Sequence, residues 1–590
     1  MKDFVKTVLA VICGYFVLRI IGFLFLLFFL VGALAGSGKP SLPKNGVLDL
    51  DMSSFVLAEQ SKEASAPSMM SMNFDMTPLV GLHDAVEAIH AAAADPGVKY
   101  ILLRPEGAMA GMGGAEEFRA AIASFRESGK PVVAYVENPS NGSFYLASVA
   151  DKIYMGAHHG GNSQLVGLSA QMLFLKDVLD KLGVNVQLIR HGKYKSAGEM
   201  FVRSSSSPEN REQNQIMVNS AWKVIGGAIA NARDLSEEAF NALIDELALN
   251  LPEDYLQAGL VDELVDHESL LGKLCTLAQV EDSRKLKLIP FSDYVTNRVT
   301  GLPGRSNVAV IYADGEIVDG KEYNNVAGDR FVQIIDKIRK DKSVKAVVLR
   351  VNSPGGSVSA SEKIRAALDL LQKEKPLVAS FGDYAASGGY WISSGCQKIY
   401  ADATSITGSI GVFSMIPEFS DVTKKMGVAV ETVGSNKHSD MFSLMRPFNG
   451  EELRFMQASV EDIYERFVNL VASSRGLDPA RVDEIAQGRV WTGADALEIG
   501  LVDEIGTLED AIAYAASLAE LYSSDGYSVV GYPQPLTLVE EFMSSLGQRY
   551  EEPSILSGTP FEALGKAVGS LKAQEPGLVY ARLPYALEIR

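Results

Sequence analysis

Residues 344–351 read Val344-Lys345-Ala346-Val347-Val348-Leu349-Arg350-Val351. The apolar run Ala346–Val351, bounded by turn residues, is the pattern of a parallel strand covered on both faces. Downstream, Ile364, Leu368 and Leu371 recur at helical spacing and give the next segment one apolar stripe. A second apolar stretch, Pro376–Phe381, follows, and Lys398-Ile399-Tyr400-Ala401 opens a further short strand. Strand, helix, strand in this rhythm predicts an α/β domain with its functional site at the carboxyl ends of the strands.

The same text occurs earlier in the chain. Val98-Lys99-Tyr100-Ile101-Leu102-Leu103-Arg104 precedes Val344–Arg350 by 246 positions, and Asp151-Lys152-Ile153-Tyr154 precedes Gln397-Lys398-Ile399-Tyr400 by the same interval. Gly259-Leu260-Val261-Asp262-Glu263 returns as Gly500-Leu501-Val502-Asp503-Glu504, 241 positions on. Matches at nearly one offset imply duplication of a whole domain, not a short solenoid repeat. Long helices over Pro208–Arg233 and Gly450–Arg475 occupy corresponding places. We divide the chain into a leading segment 1–43, a front repeat 44–299, a rear repeat 300–535 and a C-terminal extension 536–590. The apolar-rich end of that extension is expected to pack on a domain edge or a partner subunit.

Composition narrows the chemistry. The 590 residues carry a formal charge of −19, which argues against a nucleic-acid binder, since phosphate neutralisation needs a basic surface. The cysteines Cys13, Cys275 and Cys396 make neither a disulfide framework nor a zinc spacing, and no H-E-x-x-H occurs; no metal or cofactor is expected. Near the N-terminus Lys2 and Lys6 precede an apolar stretch, Val8–Ala35, broken by Arg19 alone, and Ile20–Ala35 has no charge. A spanning helix needs about 20 such residues, and leading lysines place that end in the cytoplasm. A retained transmembrane anchor is therefore expected, with the rest of the chain across the membrane. A cleaved signal peptide ending near Ala33-Leu34-Ala35 is the competing reading, disfavoured by the length of the apolar region.

Three glycine-and-serine segments of the rear repeat carry the chemistry: Asn352-Ser353-Pro354-Gly355-Gly356-Ser357, Ala386-Ser387-Gly388-Gly389-Tyr390-Trp391 and Thr407-Gly408-Ser409-Ile410-Gly411. Any one alone reads as a tight turn. Three at successive strand ends read as a site, with Ser387 at a strand-to-helix turn and the N–H groups of Gly388 and of Gly355-Gly356 placed for a developing oxyanion. A serine nucleophile needs a base. His438 is the one histidine nearby, and His191 and His158-His159 lie in the front repeat. Lys195, in Tyr194-Lys195-Ser196-Ala197, is the better candidate. An ordinary lysine is a solvated amine; it becomes a base only when burial lowers its pKa. The repeat supplies the context: Ser387 falls on Asn141 of the front repeat, and Lys195 falls on Ser439 of the rear. Each repeat thus holds one member of a serine–lysine pair. Ser143 is a weaker rival nucleophile, followed by Phe144 where Ser387 has Gly388.

These segments, together with Gly488-Arg489-Val490-Trp491-Thr492-Gly493, resemble the signal peptide peptidase A (protease IV) family in its long, duplicated, membrane-anchored bacterial form. The resemblance spans most of the chain beyond the anchor. It implies tandem Clp-protease/crotonase-like domains and a Ser-Lys dyad, with Ser387 as nucleophile, Lys195 as general base and Ser409 orienting the amine. It implies an oxyanion hole from Gly388 and Gly355, with Gly356 open as the alternative to the latter, and homotetrameric bowls on the bacterial inner membrane, their sites facing the inside of the bowl and the catalytic region on the periplasmic side. The front repeat departs from the pattern, having Arg104-Pro105-Glu106-Gly107-Ala108-Met109 in place of the Asn-Ser-Pro-Gly-Gly loop, so it is expected to contribute Lys195 and shape only. Glu199, four residues past Lys195, would hold the amine charged if it faced it, and is expected to point away.

The expected activity is endopeptidase cleavage of remnant signal peptides and other apolar peptides through an acyl-enzyme. Two alternatives use the same fold: a crotonase-type acyl-CoA enzyme, disfavoured by an external location, and a catalytically silent membrane scaffold.

Overall fold

A computed structural model describes residues 14–23, 42–61, 77–107, 111–158, 161–298, 307–521, 526–534 and 579–583. Two parallel sheets repeat one plan. In the front sheet the strand order is Glu263–Val265, Lys152–Gly156, Val132–Val136, Val98–Arg104, Gly46–Asp51, Leu288–Pro290, all parallel. In the rear sheet Asn307–Asp314 lies between Ser528–Tyr532 and Val344–Ser353, which pairs with Leu377–Ala386. That strand pairs in turn with Ile399–Ala401 and Ile406–Gly408, and the antiparallel Val490–Thr492 closes the edge. The duplicated text thus becomes a duplicated sheet.

Helices cover both faces, as continuous apolar strands require. Val358–Gln372 buries Ile364, Leu368 and Leu371, the stripe seen in the sequence. The long helices run Pro208–Ala232 and Gly450–Arg475. Ser207 caps the first; Asn449 and Glu452 form a capping box on the second, which stops at Gly476 in the left-handed region.

A third, mixed sheet joins the copies. Asn185–His191 of the front repeat runs antiparallel to Val412–Glu418 of the rear one, in unbroken register from Asn185 opposite Glu418 to His191 opposite Val412. A second tie is polar. Arg350, fully buried within the strand Val344–Ser353, donates to Glu59 Oε2 (2.8 Å) and pairs with Glu117 Oε1 (2.7 Å), both from the front repeat.

The expected anchor, Val8–Ala35, lies mainly outside the described residues. Of it, residues 14–23 are helical with Tyr15, Phe16 and Leu18 exposed, and among the described residues no helix is long and apolar enough to cross a membrane. Of the extension 536–590, Val579–Leu583 is described, and it enters the mixed sheet.

Candidate active site

Ser387 ends the strand Leu377–Ala386 and caps the helix Gly388–Ser393. Its backbone sits at φ 57°, ψ −110°, a conformation that L residues adopt only under constraint. Here Ser387 N–H donates to Gly408 O (2.8 Å) and Trp391 N–H donates to Ser387 O (2.8 Å), fixing the turn from both sides. The result is a sharp elbow that presents the hydroxyl at the strand's carboxyl end, reached without a G-x-S-x-G sequence. Two glycines after the serine are the textual trace of it: a carbon added at Gly388 would lie 2.8 Å from Ser361 Oγ, and one at Gly389 2.8 Å from Ser353 O.

Lys195 reaches this elbow because the Asn185–His191 strand is laced to Val412–Glu418, delivering the following turn to the end of the Ile406–Gly408 strand. Tyr194 N–H donates to Gln487 O (2.9 Å), and a carbon added at Gly488 would stand 2.5 Å from Lys195 Cβ, so the lysine backbone lies directly against the rear repeat. The side chain is 0% exposed. Its Nζ lies 2.9 Å from Ser387 Oγ, 3.0 Å from Ser409 Oγ and 3.2 Å from Ser409 O. Phe413 stands over it, 6.0 Å from the ring centroid. Burial holds the amine well below the usual lysine range. Ser409, like Ser387, has a positive φ (49°), which turns both its carbonyl and its hydroxyl toward the amine.

Glu199 is buried, but its carboxylate is engaged elsewhere. It pairs with Arg190 Nη1 (3.1 Å) and accepts from Ser207 N–H and Asn210 Nδ2, each at 3.2 Å. Arg190 also donates to the Lys195 carbonyl (2.6 Å), so the one pairing both neutralises Glu199 and anchors the lysine backbone.

The structure therefore brings Lys195, Ser387, Ser409, Gly388 and the Gly355–Gly356 loop together. Gly355, at φ +95°, has no room for a side chain: an added carbon would lie 2.6 Å from Gly388 N. Its own N–H donates to Ser353 Oγ (3.2 Å). The other candidates are engaged away from Ser387. His438 faces Glu452 (2.9 Å) and Glu451 (3.2 Å), and His191 stacks on Tyr464 at 3.9 Å. Ser143 belongs to a capping box with Ser140, and Ser439 Oγ donates to Asn436 O (3.0 Å). Of the front-repeat loop that replaces the glycine pair, Arg104 binds Asp49, and residues 108–110 lie outside the described set.

Sequence reasoning missed one participant. Tyr580–Arg582 pairs antiparallel with Gly355–Ser357, placing a strand from the far end of the chain across the glycine loop. Nothing in Tyr580-Ala581-Arg582 marks a strand; the ladder exists because the loop offers an open edge.

A family model described as peptidase family S49 matches residues 124–281 and again residues 369–522. The chain is 36% identical over 520 residues to Protease 4 of Haemophilus influenzae, covering 84% of this chain and 83% of that protein. It is 35% identical over 565 residues to Protease 4 of Salmonella typhi, covering 92% of this chain and 85% of that one. A protein of Enterococcus faecium described as a putative signal peptide peptidase SppA is 39% identical over 217 residues, 35% of this chain and 63% of that protein.

Proposed function

This chain belongs to peptidase family S49 and is a serine protease, and we propose that it cuts apolar peptides by acyl transfer through Ser387, with Lys195 as the general base. The observation that carries the dyad is the fully buried Lys195 amine, 2.9 Å from Ser387 Oγ, with the Glu199 carboxylate held by Arg190. A neutral amine there accepts the Ser387 proton as the oxygen attacks the peptide carbonyl. N–H groups of Gly388 and of the Gly355–Gly356 loop receive the oxyanion; the lysine returns its proton to the departing nitrogen, and water hydrolyses the ester. Ser409 keeps the amine aimed. Phe413, 6.0 Å from the amine, belongs to a buried apolar cluster with Leu175, Leu179, Phe201 and Met415.

In this reading the front repeat, 44–299, supplies the base and the rear repeat, 300–535, the nucleophile. Val8–Ala35 anchors the chain in the bacterial inner membrane with the site on the periplasmic side, where cleaved signal peptides are apolar substrates at hand. Homotetramers in the form of a bowl are part of the same proposal. The support for location is the uncharged run Ile20–Ala35 after Lys2 and Lys6.

The test is hydrolysis of an apolar reporter peptide, alongside labelling by a serine-reactive probe. Wild type is expected to be labelled and active, and Ser387→Ala and Lys195→Ala to lose both while retaining the fold by circular dichroism. Cleavage at the wild-type rate by either variant would remove the dyad from the mechanism.

A further inference from the structure

The helix Leu82–Ala94 of the front repeat carries His83, Glu87 and His90, and the helix Leu508–Leu518 of the rear repeat meets it with Glu509. Glu87 and His90, three residues apart, share one face of their helix. One carboxylate oxygen from each of Glu87 and Glu509 and one ring nitrogen of His90 lie within 4.8 Å of one another. His90 Nδ1 stands 3.8 Å from Glu509 Oε2, too far for a hydrogen bond. Two ligands on one tetrahedral zinc stand about 3.3 Å apart, so small side-chain rotations bring the trio onto a single ion. The other Glu509 oxygen is already held, because His83 Nδ1 donates to Oε1 at 3.1 Å. A carboxylate only accepts, so that nitrogen carries the hydrogen. A donor fixing the far oxygen of a ligating carboxylate is the outer support that metal sites use. The backbone around Glu509 is set as well. Thr507 and Asp510 cap the start of its helix reciprocally, and Leu508 N–H donates to Glu117 Oε2 of the front repeat at 2.8 Å. Charge points the same way. Among the described residues no lysine or arginine pairs with Glu87 or Glu509, and the partners of Glu509 are His83 and His90. Burial and the facing Glu509 raise the Glu87 carboxyl, the mark of two acids crowded together. No local spacing in the sequence announces this set, because its third member comes from the other repeat.

We propose that Glu87, His90 and Glu509 bind one divalent transition cation of the zinc class, clamping the front repeat to the rear. The donor set selects it: an imidazole nitrogen with carboxylate oxygens suits zinc, whereas calcium and magnesium want oxygen alone. Glu87 and His90 are exposed, so the cation reaches the site from solvent and water completes its coordination. Two ligands stand on one repeat and the third on the other, so binding opposes their separation. A cation held only by the docked repeats stabilises the docked state by mass action.

Titration of the chelator-treated full chain with zinc chloride, followed by calorimetry and by thermal melting, tests this. Wild type is expected to bind one zinc per chain and to melt several degrees higher with it, while magnesium chloride leaves the midpoint unmoved. His90→Ala and Glu509→Gln, each checked for fold by circular dichroism, are expected to bind zinc at least about 10-fold more weakly and to melt alike with and without it. His83→Ala is expected to keep the stoichiometry and lose about 10-fold in affinity, as an outer support should. Absence of saturable binding by wild type overturns the proposal. An affinity unchanged in both His90→Ala and Glu509→Gln also overturns it, marking an adventitious ion only. Zinc that binds at one per chain and leaves the wild-type midpoint unmoved overturns the clamp, and an equal response to magnesium overturns the choice of cation. Peptide cleavage is not the readout, so the outcome stands apart from the Ser387–Lys195 reading.

Discussion

At the scale of single residues the proposed mechanism turns on one amine whose pKa burial lowers. A lysine whose pKa is lowered by burial is neutral over a pH range where an exposed lysine is protonated, and it accepts a proton only in that form. kcat/KM is therefore expected to rise with pH and to fall away as acid carries the solution through the depressed pKa; a pH–rate profile flat on its acid side would exclude Lys195 as the base. Lys195→Arg keeps the charge at every accessible pH and is expected to lower kcat by about 10³-fold. Stability moves in the same direction. At neutral pH the unfolded chain protonates this lysine and the native chain resists it, so the group weakens folding below its ordinary pKa and ceases to do so as pH rises toward it. Lys195→Met, of similar length and no charge, is expected to abolish cleavage yet raise the thermal midpoint, as calorimetry would show.

At the scale of elements, two tight turns and one cross-repeat ladder hold that amine in place. Gly488, at φ +79°, lets the turn before the Val490–Thr492 strand approach Lys195; a methyl there would stand 2.5 Å from Lys195 Cβ in a conformation that L residues rarely adopt. Gly488→Ala is expected to shift the lysine and lower kcat about 10²-fold with a smaller change in KM, measured by steady-state kinetics on a reporter peptide. Much at this scale was legible. The apolar run from Ala346, the stripe of Ile364, Leu368 and Leu371, and the glycines after Ser387 each encode local geometry, and each lies in the predicted element. The pairing of Asn185–His191 with Val412–Glu418 was not, because register between segments more than two hundred residues apart leaves no local period. Arg350 is a sharper case. In the text it looks like the polar end of a strand, yet it is wholly buried, since its partners Glu59 and Glu117 come from the other repeat. The three-residue strand at Tyr580 escaped for the same reason: its partners lie elsewhere, not in its own composition.

At the scale of the whole molecule, the two repeats meet around a crowded set of acids. Arg350 also donates to Ser380 Oγ (2.9 Å) and Phe381 O (3.0 Å). Glu116 receives the N–H groups of Ala403 (3.2 Å) and Thr404 (2.7 Å), and Asp383 receives Gly113 N–H (2.8 Å). Burial, with Glu59 nearby, pushes the Asp383 carboxyl up to about 7, and burial beside Glu117 and Glu116 raises Asp402 as well. A carboxyl with a raised native pKa binds its proton more readily folded than unfolded, so its contribution to stability declines as pH climbs from about 4 to about 7. Asp383→Asn is expected to flatten that part of the melting-temperature profile and to raise the midpoint at pH 8. Arg350→Met strands several carboxylates in the interior and is expected to cost about 3–5 kcal/mol in chemical denaturation. The amine and the alcohol stand 192 positions apart on different copies of the fold, and this governs when the enzyme comes into being. A ribosome delivers Lys195 first. On the proposed dyad, no hydrolytic centre forms on the growing polypeptide until the later copy has emerged, folded and docked, which would keep an unfinished protein harmless to its neighbours during translation.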